Sequence, residues 1–324
     1  MNRTNLFLLI ALIVQAVLIA IIALPKGGEA QSETVALLPN FDPSAVSAIT
    51  ITDATGGQIR LAKIGDGWGL ADIGNYPVQP NRVSDLFATL AGLDTSRLIS
   101  DNVANQRRLM VADDEFERKV EITQGDQPYT LYIGSASGAN ATHTRLAGSD
   151  NVYLNRNITA TSVSVETTAW SETAYITLDS TKVVSMSITN INGTFEFENV
   201  GGVWQMNGLE TSEIFNEENF TALLDKIVGF NLRKPLGTEA LPEYAMDTPL
   251  ATVTVTVRDT LVTGDETTAG QTIDTTYELV IGGRFEDGYA VKSNRSDFYV
   301  LASAFYATDF TEERREDFII TAEN

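Results

Sequence analysis

The sequence predicts an α+β protein: an N-terminal transmembrane helix, then two tandem strand-rich repeats, each an antiparallel sheet with one main amphipathic helix. Three observations predict it. Residues 6–24 form an apolar run, the phrase YTLYIG (129–134) returns as YELVIG (277–282), and a helical apolar stripe recurs at a constant offset of 137. Residues 1–30 are read as a cytoplasmic tip, anchor and short linker, 31–45 as a further linker, 46–178 as the first repeat and 179–324 as the second.

The run from Leu6 to Leu24 is apolar except for Gln15. At about 1.5 Å per residue it nearly matches a hydrocarbon core of roughly 30 Å. It exceeds the roughly 7–15 apolar residues of a signal-peptide core, so the reading is an uncleaved anchor; the alternative is a cleaved signal ending at Ala30. Arg3 and the charged amino terminus before the span, against Lys26 alone just after it, favour a short cytoplasmic amino terminus. The expected location is the cell membrane, single-pass, with the remainder extracytoplasmic.

Each repeat is expected to begin with a strand, VSAITI (46–51) or VSMSIT (184–189), followed by glycines and a tryptophan segment around Trp68 or Trp204. Val83, Leu86, Leu90 and Leu93 then match Phe220, Leu223, Ile227 and Phe230. That spacing is the stripe of an amphipathic helix. Asn81 and Asn216 are the expected N-caps, with Glu217 and Glu218 favourable at the positive end of the second helix dipole. Beyond the helices the pattern changes to period two. Val120 and Ile122 face Tyr129, Leu131 and Ile133 across a turn at Gly125-Asp126, and Val253, Val255 and Val257 face Tyr277, Leu279 and Ile281 across a loop at 258–275. Each half closes on aromatic residues, up to Trp170 and then Phe310–Phe318.

Composition excludes whole classes of chemistry. A net charge of −21 disfavours nucleic acid and docking onto anionic lipid. With no cysteine there are no disulfides, thiolate metal sites or cysteine nucleophiles. The five N-x-S/T triplets, at Asn140, Asn157, Asn192, Asn219 and Asn294, are the number a Thr- and Asn-rich chain produces by chance. His143, the only histidine, is read as a surface residue, because a triad or metal site would need partners that the sequence does not place. GSASG (134–138) has Ala136 where a nucleophile elbow needs serine, and reads as a flexible loop. DDEFE (113–117) has Arg118 where an EF-hand needs glycine, so it reads as a solvated acidic turn. The Gly pairs at 56–57, 201–202 and 282–283 read as turns between strands. Trp68 and Trp204 read as packing against the helix in each repeat. No catalytic, cofactor-binding or metal-binding residue is assigned.

The arrangement resembles the family called domain of unknown function 4340, on VSAITI, Trp68-Gly69-Leu70, the 81–93 helix and YTLYIG, each with a second copy. ALPEYAMDTPLATVTV (240–255) is similar to a Tyr-Gly-Leu, Pro, strand passage of that family, with Ala245 where glycine is expected; RLMVADDEFERKVEI (108–122) has lost both Gly and Pro. The resemblance implies a membrane-anchored auxiliary protein of gliding-motility-type ABC transport systems. The expected function is therefore a non-enzymatic binding or accessory protein with a protein partner in the same membrane. The alternatives are a structural or surface-assembly protein that self-associates, and a carboxylate-dependent envelope hydrolase, which needs two carboxylates about 5–10 Å apart in a cleft.

Overall fold

A computed structural model of the chain describes residues 35–260 and 271–321. The run Leu6–Leu24 lies outside them, and among the described residues no helix is long and apolar enough to cross a membrane. The described chain is α+β and strand-rich, with antiparallel sheets and few helices.

Two aspartates start the two sheets. Asp42 accepts hydrogen bonds from the backbone and hydroxyl of Ser44, and Asp179 does the same for Thr181, closing a single 3-10 turn before each first strand. The first half then runs β1 (Val46–Asp53), β2 (Gln58–Ile64), β3 (Gly67–Leu70), β4 (Tyr76–Pro77), helix α1 (Pro80–Ala91), β5 (Leu98–Ser100), β6 (Arg118–Gln124), β7 (Tyr129–Ala136), β8 (Ala141–Leu146) and β9 (Val152–Arg156). The second half repeats that order as β10 (Val183–Asn190), β11 (Gly193–Val200), β12 (Val203–Met206), β13 (Glu213–Phe215), α2 (Glu217–Val228), β14 (Lys234–Gly237), β15 (Ala251–Thr260), β16 (Thr272–Phe285), β17 (Gly288–Ser293) and β18 (Tyr299–Ser303). It closes with helix α3 (Ala304–Glu312) and β19 (Ile319–Thr321).

The sheet orders correspond strand for strand: β4-β3-β2-β1-β6-β7-β8-β9-β5 in the first and β12-β11-β10-β15-β16-β17-β18-β14 in the second. One strand differs. β4 pairs with β3, whereas β13 leaves its sheet to pair with β19.

Each helix buries the first three residues of the expected stripe, Val83, Leu86 and Leu90 on α1 and Phe220, Leu223 and Ile227 on α2, and adds Phe87 and Leu224; Leu93 and Phe230 are buried just beyond the helix ends. A buried side chain of this size is worth about 1.5–3 kcal/mol, so the stripe, rather than helix propensity, holds each helix in place. The tryptophans pack on those helices, Trp68 edge-on to Phe87 at 5.6 Å and Trp204 against Phe220 at 4.6 Å. The phenylalanine stands one turn later in α1 than in α2, and each tryptophan follows it. Asn216 caps α2 by accepting from Asn219 N, but α1 starts two residues earlier than expected, with Gln79 at the N-cap and Pro80 at the first helical position. Proline's fixed φ suits that position, so Asn81 lies inside the helix.

Several local expectations are corrected. The linker 31–45 packs on the first sheet from residue 35 onward: Leu37 and Leu38 are buried, and Leu37 N donates to Leu93 O. The 258–275 loop is shorter than its polar sequence suggests. Residues 258–260 and 272–275 stay paired, and Arg258 holds Asp274 in a forked ion pair. GSASG begins inside β7, and Gly282-Gly283 lies inside β16.

The returning Ile-Gly phrase now has a physical cause. A Cβ on Gly134 would stand 2.1 Å from Leu109 O, and one on Gly282 would stand 2.1 Å from Tyr244 O. Both glycines occupy a break in strand register, and in both halves a residue in left-handed conformation, Met110 (φ 58°) or Ala245 (φ 50°), follows the approaching carbonyl. Glycine is required because a backbone crosses the sheet face at that point.

Candidate functional site: the groove between the halves

The segment from Trp170 to Leu178 joins the halves by bonding to both. Trp170 O accepts from Gln79 N at the start of α1, and Phe230 O, after α2, accepts from Tyr175 N and Ile176 N. Phe318 repeats the role of Trp170 at the end of the chain, its carbonyl accepting from Asn216 N. Tyr175 completes the joint. Its hydroxyl donates to Phe298 O at 2.7 Å and accepts from Ser293 N at 2.9 Å. Tyr76 packs edge-on to Phe298 at 4.9 Å, and burial raises the pKa of its hydroxyl. The main cluster of buried apolar side chains runs through both halves without a break.

Beside this joint lies an open groove of about 480 Å³. One wall comes from the first half, with Asp72, Ile73 and Gly74 of the turn after β3, and Thr167. The other comes from the second half, with β14, Thr238, Glu239, Tyr244, Phe285 and Glu286. Tyr244 is buried between Phe285 and Tyr299, at ring distances of 5.1 and 5.4 Å. Its position follows from the Gly282 crossing and the left-handed turn at Ala245, so the repeated phrase builds a groove wall. Two of the groove carboxylates are ion-paired, Asp72 with Arg60 and Glu286 with Lys234. Aliphatic and aromatic surface within a charged rim can hold an extended segment of a partner protein.

The residues weighed from sequence lie elsewhere. His143 is buried in β8, correcting the surface reading; its ring Nδ1 donates to Ser135 O at 2.8 Å. Three acids of the DDEFE turn are ion-paired: Asp113 with Arg145, and Asp114 and Glu115 with Arg107. Arg145 is buried over the Tyr132 ring, with its centre 4.5 Å from the ring centroid, and it holds the Asp113 carboxyl below its usual range. Among the described residues no three His, Asp or Glu side chains gather as metal ligands. One acid departs upward. Glu313 is raised first by burial, and it accepts from the Asn219 side chain while lying beside Asp317.

Sequence reasoning missed the groove because its residues span positions 72 to 286 and share no spacing. The one available signal was the missing glycine at Ala245.

A family model described as "Domain of unknown function (DUF4340)" matches residues 68–249. Neither the curated proteins nor the solved structures contain a match. The matched span starts at Trp68 and ends just before β15, and so includes the joining segment Trp170 to Leu178 and most of the groove, but not Ser293 and Phe298.

Proposed function

The chain belongs to the DUF4340 family, and from that membership we propose that it is a single-pass, membrane-anchored extracytoplasmic accessory protein, an auxiliary component of an ABC-type transport or envelope complex. In this reading Leu6–Leu24 is the anchor, and the two tandem repeats form the platform that a partner protein grips. The observation that carries the reading is the groove, where both halves meet around Ile73, Pro235, Leu236 and Phe285. A groove shared by two halves is open to control by whatever holds those halves together. The test is purification of the tagged protein from its own membranes in mild detergent, with mass spectrometry of what co-purifies. Transporter subunits recovered in fixed ratio, and lost with Leu236→Asp, support the role. Recovery of the protein alone, or only with itself, rejects it in favour of structural assembly.

A further inference from the structure

The second sheet ends in β14, which lies against the first half at the turn after β3 and the 3-10 turn before Trp170 and lines the groove with the rest of its surface. The first sheet ends in the equivalent strand, β5, which is open. Their equivalence is set by register. Leu98 pairs with Tyr153 as Pro235 pairs with Val300, and Ser100 with Val152 as Gly237 with Tyr299, each with one bulged residue between. Pro235 is buried, whereas Leu98 is 51% exposed and its neighbours Ile99 and Val103 are 40% and 55% exposed.

The two turns of the first half that meet β14 have counterparts in the second half, where β13 and β19 lie beside them. The turn Asp72–Gly74 follows β3, and its counterpart Gly208–Glu210 follows β12. Thr167 opens a 3-10 turn before Trp170, and Arg315 opens the matching turn that ends at Phe318. Arg315 ties this second surface together by donating to Gly208 O at 2.8 Å and to both carboxylate oxygens of Glu213. Next to it Ile214 and Ile320, directly opposed across β13 and β19, are 52% and 50% exposed. The molecule thus holds one complete junction in its middle and the two unmatched halves of another at its ends.

We propose that the occupant of the β5 edge is a second copy of this chain, which presents its Gly208–Glu210 turn and its Ile214–Ile320 pair. The contact is heterologous, so it propagates head to tail and does not close at a dimer.

The test is end complementation with the full chain in detergent, followed by sedimentation velocity. Ile99→Asp blocks one end, and Ile214→Lys with Ile320→Glu blocks the other while keeping an attractive cross-strand pair; Val103→Asp is a second block of the first end. The wild type is expected to grow in mass with concentration past the dimer. Each blocked chain is expected to self-associate at least tenfold more weakly, and an equal mixture of the two is expected to form a one-to-one dimer and stop. A wild type that stays monomeric, a dimer indifferent to one of the blocks, or a mixture that fails to associate would each overturn the proposal.

Discussion

At the scale of single residues, the fold turns on where backbone meets backbone. Ala245 holds a left-handed conformation that costs an L-residue roughly 1–2 kcal/mol, and glycine gives back about 0.5–1 kcal/mol of that through its freer unfolded chain. Ala245→Gly is therefore expected to stabilise by about 0.5–1 kcal/mol in urea unfolding. Gly134→Ala drives a methyl into Leu109 O, and the same measurement should show a loss of about 3 kcal/mol. Charge gives a second residue-scale prediction. Arg315 grips both oxygens of Glu213 and lowers its pKa to about 2. An acid whose pKa is lower in the folded state adds stability above its unfolded value and loses it as pH falls toward the folded value. The wild type should lose stability from about pH 5 to pH 2, and Glu213→Gln should flatten that part of the profile. Glu313 has the opposite sign: its raised pKa favours the folded state while it is protonated, and that benefit is lost as pH rises through the raised value.

At the scale of elements, the helices test which contacts define a repeat. Asn216→Ala removes the side-chain cap of α2 together with its donation to Asp317 O and should cost about 2 kcal/mol, while α1 has no side-chain cap and Gln79→Ala should cost about 1 kcal/mol through the lost donation of Gln79 Nε2 to Ser171 O at 2.8 Å. Thermal or urea unfolding of the two variants checks the difference. The elements were the legible part of the sequence: the stripes of α1 and α2, the β6–β7 hairpin and the paired tryptophans follow from periodicity and repetition alone. Elements that depend on distant partners were not legible. Met110 and Ala245 do not announce positive φ, and His143 looks like a surface residue until a second layer of chain covers β8. The 258–275 stretch reads as a loop because pairing between exposed polar strands leaves no apolar alternation. The groove was the least legible feature, since it exists only where the turn after β3 meets β14.

At the scale of the whole molecule, the joint decides behaviour. The buried core passes through both halves, and Tyr175 bonds across them, so one cooperative unfolding transition is expected for the wild type. Tyr175→Phe leaves Ser293 N and Phe298 O without their hydroxyl partner, at a cost of about 1–3 kcal/mol. Calorimetry should show a lower, broader transition as the halves loosen. The central claim is that the groove between the halves receives a partner protein. The most direct measurement is photo-crosslinking in native membranes from a reactive residue placed at position 236, inside the groove, and in parallel at exposed position 64 on β2. One discrete adduct with a second membrane protein is expected from position 236 and none from position 64. No adduct from position 236, or the same adducts from both positions, would contradict it.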